Sequence, residues 1–231
     1  MTKSACRNAS TFFKVRDILF LLKIYYNKVV MRFIKNKTLK FIICVFLMGF
    51  SYTSHAQTNI YDIVFKKDTI GILKVSKNIK DDVILYSYYL DVQVKLLVSI
   101  HLKYNLKATY TAEQLIHASV DNTVNNKEHH SSDIQWKDSY YLINSKNKKN
   151  HKLENKITYS GVKLFFEEPN TIKKIFSEHS AQYGILSRIG ENYYELTLHN
   201  GKKNQYLYKK GVLVKASINN SFIQFQLLLR D

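Results

Sequence analysis

From Ile84 to Tyr110 every even-numbered residue is apolar. Ile84, Tyr86, Tyr88, Leu90, Val92, Val94 and Leu96 are followed by Val98, Ile100, Leu102, Tyr104, Leu106, Ala108 and Tyr110. Between them stand Ser87, Asp91, Gln93, Lys95, Ser99, His101, Lys103, Asn105, Lys107 and Thr109. Successive strand side chains point to opposite faces, so the pattern describes a sheet with one oily and one wet face. Helical periodicity is scarce elsewhere in the chain. A single strand does not run that far, which predicts a break near Lys95 to Ser99, although no Gly or Pro marks it.

Turn chemistry divides the rest. Lys66-Lys67-Asp68-Thr69, Thr111-Ala112-Glu113, Asn125-Asn126-Lys127 and Asp138-Ser139 separate alternating runs. Asn200-Gly201 predicts a two-residue hairpin with positive φ at both positions. Lys210-Gly211 and Asn219-Asn220-Ser221 close the last strands. About a dozen short strands are expected, in keeping with an antiparallel barrel or curved sheet. One segment breaks the rhythm, residues 160–169, SGVKLFFEEP. Ser160 is a candidate helix cap, Val162, Phe165 and Phe166 share a helical face, and Pro169 favours an end. The fold class expected is all-β with minor α. It is a strongly curved antiparallel sheet or open β-barrel, with a short helix packed on its concave side.

Residues 31–56 speak to address. Arg32, Lys35, Lys37 and Lys40 precede the apolar run 41–50, and Ser54-His55-Ala56 supplies small residues before Gln57. This is the order of a secretory signal, with cleavage expected between Ala56 and Gln57. The run is too short to span a bilayer, which needs about 20 apolar residues, so no transmembrane anchor is expected. Cys44 has Ile43 before it and VFLMGF after it, so it is helix filler rather than a lipid-attachment site. Residues 1–30 read as an upstream extension ahead of a true start at Met31. The organisation expected is thus 1–30 extension, 31–56 signal and 57–231 one β-rich domain, in the periplasm or secreted.

The charge of +17 shrinks on this division. Residues 1–56 hold 10 of the 35 Lys and Arg and one of the 18 Asp and Glu, leaving +8 on 57–231. Export argues against nucleic acid as a partner. The basic cluster at residues 146–152 reads as a solvated loop. Both cysteines, Cys6 and Cys44, lie outside 57–231, which excludes disulfides, thiol catalysis and cysteine-ligated zinc from that domain.

Candidate chemistry is thin. Glu167 and Glu168 are adjacent, so at most one faces any given pocket, and a structural role near the helix end is expected. His129 and His130 should point to opposite strand faces, which argues against a metal site with Asp133. His101, His117 and His199 read as solvated. No serine elbow or phosphate loop occurs. The abundant tyrosines fit packing, or else an apolar groove tipped with hydroxyls.

The runs YDIVFKKDTIGILKVSK (61–77), LFFEEP (164–169), IFSEH (175–179) and GENYYELTLHNGKKNQYLY (190–208) resemble a family of exported Gram-negative proteins known only as a domain of unknown function. The resemblance is strongest over 161–208 and implies a signal peptide followed by one β-rich domain, with no reaction to carry over. Where members commonly have Arg-Phe-Gly after Ser-Glu, this chain has His179-Ser180-Ala181. More distantly, the shape is similar to the open barrel of periplasmic lipoprotein carriers, whose curved sheet holds acyl chains. The expected function is non-enzymatic binding of an apolar or amphiphilic, lipid-like ligand on the concave face, with no cofactor and no metal. Tyr86, Tyr88, Leu90, Val92, Ile100, Leu102, Tyr104, Val162, Phe165 and Phe166 would line the site. The alternative is an envelope interaction protein with a filled core.

Overall fold

The structure, a computed structural model, describes residues 20, 22–28, 55–95, 99–146, 148–219 and 224–230. It divides into a unit at residues 1–53, in which 22–28 are helical, and a compact unit at residues 54–231. The apolar run 41–50 lies outside the described residues. No helix among the described residues is long and apolar enough to cross a membrane.

The second unit is one antiparallel sheet of fourteen strands. The first eight are β1 (His55–Phe65), β2 (Asp68–Lys80), β3 (Val83–Lys95), β4 (Ser99–Thr111), β5 (Gln114–Val124), β6 (Lys127–Lys137), β7 (Tyr140–Ser145) and β8 (Lys148–Leu153). After a 3-10 helix at Gly161–Phe165 come β9 (Lys174–Ser177), β10 (Gln182–Gly190), β11 (Tyr193–Thr197), β12 (Lys203–Lys209), β13 (Val212–Asn219) and β14 (Gln224–Leu229). The spatial order is β8-β7-β6-β5-β4-β3-β2-β1-β14-β13-β12-β11-β10-β9. The first and last strands pair in the middle, and the two meanders run outward to the edge strands β8 and β9. A cut after Ala56 would take His55 and Ala56 from β1, opposite Ile79 and Asn78, and leave Gln57–Phe65 paired.

Register follows the alternation. The break expected near Lys95 to Ser99 separates β3 from β4, and Ile84↔Tyr110, Tyr88↔Leu106 and Val92↔Leu102 face each other across the pair. The even-numbered side chains therefore share one face, where Tyr86, Ala108 and Tyr110 are fully buried. Tight turns with positive φ at both central residues occur at Lys66-Lys67, Ala112-Glu113, Asn125-Asn126 and Lys210-Gly211. The turn at Asn200-Gly201 departs from the two-residue expectation. Gly201 has φ +79 while Asn200 stays outside the left-handed region, and Gly201 N–H donates to Leu198 O at 2.9 Å. That is the three-residue loop with a glycine bulge, the next commonest hairpin connection.

Two further expectations are corrected. Basic residues 148–153 form edge strand β8 rather than a loop, a placement that suits lysine because charge discourages edge-to-edge pairing. The helix is a single 3-10 turn, and Ser160 makes no side-chain cap to it.

Residues 154–173 join the two edge strands by passing over the inner face. Leu115 N–H donates to Ile157 O at 2.9 Å, and Ser160 bridges Phe176 of β9 in parallel. This plug divides the interior into two apolar clusters. Ile157 and Val162 pack with Tyr86, Tyr110, Leu115 and Tyr141. Leu164 and Phe165 pack with Tyr61, Leu90, Tyr194 and Tyr208.

Candidate functional site

The sheet contributes tyrosines to the inner face, and their hydroxyls hold the plug. Tyr208 donates to Leu164 O at 2.7 Å, Tyr86 to Glu167 Oε1 at 3.0 Å and Tyr194 to Glu168 Oε1 at 2.9 Å. Tyr141 donates to Leu115 O at 2.7 Å and accepts Ile157 N–H at 3.1 Å. Within the plug, Tyr159 donates to Glu167 O at 2.6 Å. Each ring supplies apolar area, and the hydroxyls of Tyr208 and Tyr141 also satisfy backbone groups that burial would otherwise strand. The two adjacent glutamates diverge as expected, and Lys77 Nζ lies 3.2 Å from Glu167 Oε1.

Glu178, 3% exposed, fixes the start of the 3-10 turn. Its Oε1 accepts Ser160 Oγ–H at 2.6 Å and Val162 N–H at 3.1 Å. Tyr110 donates to Ser160 Oγ at 2.6 Å, and Ser132 Oγ–H reaches Glu178 O at 2.8 Å. A Cβ on Gly161 would sit 3.0 Å from Glu178 Oε2, so glycine keeps this approach open. Burial raises the Glu178 pKa, while bonds from Ser160 and backbone N–H groups oppose the rise. Ser160 is thus tied to a carboxylate rather than capping the helix itself.

Beside the plug the inner face keeps a cavity of about 310 Å³. Its apolar wall includes Leu90, Leu102, Leu106, Phe165, Leu196 and Ile218, and Tyr88, Tyr104 and Tyr206 stand among them. Burial, then the Tyr206 hydroxyl, pushes Tyr88 above its ordinary value. Tyr206 is pushed up to about 12, burial outweighing its bond with Asn204. The polar end holds Asn122, His129, Glu178, His179, Lys202 and Asn204. Asn122, 8% exposed, has an Oδ1 that is sealed from solvent and has no hydrogen-bond partner.

A bulge shapes that end. Asn122 pairs with His130 and Thr123 with Glu128, so His129 is the extra residue of β6. A bulge re-aims its side chain, and the strict alternation expected of His129 and His130 fails here. His130 Nε2–H donates to His179 O at 2.6 Å, and the two rings lie 4.1 Å apart. His179 keeps part of its surface in solvent, yet crowding against the wall, then His130, His129 and His199, lowers its pKa to about 4. Asp133 turns the other way, 2.7 Å from His117 Nε2, and His101 pairs with Asp91 at 2.8 Å. Among the described residues no group of three His, Cys, Asp or Glu could hold a metal ion.

The sequence matches the domain of unknown function DUF6134 over residues 61–230. The chain belongs to this family. The DUF6134 domain also resembles a solved structure, the crystal structure of a beta-barrel-like protein of the domain of unknown function DUF1849 from Brucella abortus. The TM-score is 0.51 at 10% identity, covering 75% of this chain and 95% of that one. That likeness is one of fold. No curated protein matches the chain.

Of the residues expected to line a site in this DUF6134 chain, Tyr88, Leu90, Leu102, Tyr104, Val162 and Phe165 line the cavity. Tyr86 and Phe166 lie outside it, packed together with ring centres 5.5 Å apart. Val92 is buried in the apolar cluster, and Ile100 is half-buried at the start of β4. Sequence reasoning missed the polar end. One signal was available there, since Asn122 takes an inward slot after Ala118 and Val120. A second hollow, about 410 Å³, lies between Pro169–Lys174 and β10. Though larger, it contains neither of the buried side-chain atoms left without a partner.

Proposed function

We propose that this protein is exported and binds an apolar or amphiphilic, lipid-like ligand, without catalysis, in the cavity on the inner face of its sheet. The observation that carries the reading is that cavity. An apolar wall ends in a small set of polar groups, and its volume lies at the lower end of the usual range for small-molecule sites. A space of about 310 Å³ suits a single apolar chain better than a two-chain lipid. Export is supported by the order of charge, apolar run and small residues in 31–56. The absence of catalysis is supported by the spent carboxylates: Glu167 and Glu168 bind separate partners, and Glu178 holds Ser160 and Val162.

The plug favours a second reading, in which the interior is mostly core and the outer edge of β8 docks an envelope partner. Native mass spectrometry of protein purified from a membrane-containing lysate separates the two. The binding reading expects a co-purifying single-chain species that leaves on denaturation. A bare mass, with no uptake of an added apolar probe, would favour the second.

A further inference from the structure

We propose that the second hollow, beside β10, is where this protein seats on an anionic lipid surface, its cations meeting phosphate headgroups while Ile185 and Ile189 enter the interface. The proposal goes beyond the cavity reading and does not depend on it. Among the described residues of the unit at 54–231, these two are the most exposed large apolar side chains, at 51% and 45%. Both lie on β10, and the sheet explains why they are uncovered. β9 pairs with β10 only from Gln182 to Ile185, and Leu186 N–H adds one bond to Lys173 O at 2.9 Å. Beyond that point β10 runs on past its neighbour. At its end Arg188 pairs with Tyr194 and Gly190 with Tyr193, so Ile189 is the extra residue of a bulge and has none opposite it.

Single exposed apolar residues are ordinary on a protein surface; here charge beside them says what covers them. Lys173, Lys174 and Arg188 line the hollow together with Ile185, and no described Asp or Glu lines it. Lys173 and Lys174 are exposed, and neither has an ion-pair partner among the described residues. Arg188 Nε–H donates to Gly190 O at 3.1 Å, which holds the guanidinium at the bulge. Of the acids nearby in the chain, Glu195 is paired with Lys203 at 2.7 Å, Glu168 accepts the Tyr194 hydroxyl, and Glu191 lies in the turn after β10. Two isoleucines are too little for the apolar core of a protein interface, which takes about 800 Å² a side. They suffice for an anchor that works alongside charge, with apolar groups at the acyl boundary and cations among the phosphates.

The test uses the full chain carrying Ile185→Trp, mixed with vesicles of phosphatidylcholine and phosphatidylglycerol whose acyl chains are brominated. Bromine quenches only a tryptophan that enters the interface, so contacts made by residues 1–56 do not count. The native chain, whose only tryptophan is Trp136, sets the baseline. Val83→Trp, at an exposed position that starts β3, is the control elsewhere on the sheet. Ile185→Trp should be quenched and blue-shifted beyond the baseline, and Val83→Trp should not. Vesicles of phosphatidylcholine alone should give no quenching, and about 1 M salt should abolish it. Lys173→Gln and Lys174→Gln, both at exposed positions, should each raise the lipid concentration needed by about fivefold. Quenching of Ile185→Trp no greater than baseline, equal quenching by neutral vesicles, or equal quenching of Val83→Trp would overturn the proposal. So would inorganic phosphate that shifts the Ile185→Trp emission while vesicles leave it unquenched, since the hollow would then hold a free anion. None of these outcomes touches probe uptake by the inner cavity, so the binding reading is judged separately.

Discussion

His179 shows how one side chain makes the polar end sensitive to acid. Its folded pKa of about 4 lies below the ordinary 6.5. Between those values the unfolded chain binds a proton that the folded chain refuses. Its contribution to stability is therefore complete above pH 6.5 and lost as the pH falls towards 4. Glu178 works in the opposite sense, because its raised pKa lets the folded state take up a proton first on acidification. Comparing the native protein with His179→Gln isolates the histidine, since both retain Glu178. The difference in melting temperature should be constant from pH 8 to 6.5 and shrink progressively down to pH 4. A pH-independent difference would show that the ring titrates as if free in water.

The plug is the element on which the interior depends. Tyr208 is 3% exposed and its hydroxyl bonds Leu164 O, so Tyr208→Phe strands a buried carbonyl while nearly preserving shape. The expected cost is about 1–3 kcal/mol, read as a shift in the denaturation midpoint. Hydrogen exchange should quicken most in residues 157–167, and β2 to β5 should keep their protection. Loss of protection spread evenly over the sheet would contradict a plug held by tyrosine hydroxyls. The strands themselves were legible because each even-numbered apolar residue from Ile84 to Tyr110 speaks for one face. The edge strand β8 was not, because Lys148–Leu153 carries no alternation and gains its place from pairing with β7. The 3-10 turn was visible as a break in the pattern, but its anchor Glu178 was not, since only the fold brings a residue after β9 beside Ser160.

For the whole molecule, the decisive arrangement is a sheet whose first and last strands pair centrally while its edges are spanned by their own connection. Local patterns gave the antiparallel hairpins, but the β1–β14 pairing joins residues such as Tyr61 and Leu229, far apart in sequence. The cavity was half legible. Its apolar wall follows from alternation in β3 and β4, whereas its polar end needs the bulge at His129 and the return of the chain at His179.

The most direct measurement fills that space. Leu102 and Leu198 both line the cavity, are only half-buried and pack at the margin of one apolar cluster rather than in its buried centre, so tryptophan at these positions fills the cavity at limited cost to packing. Fluorescence titration with N-phenyl-1-naphthylamine should show a saturable, blue-shifted signal for the native chain. The pair Leu102→Trp and Leu198→Trp should lose that signal by tenfold or more in affinity, while the melting temperature is retained. Unchanged probe binding by the filled variant would contradict a ligand cavity on the inner face.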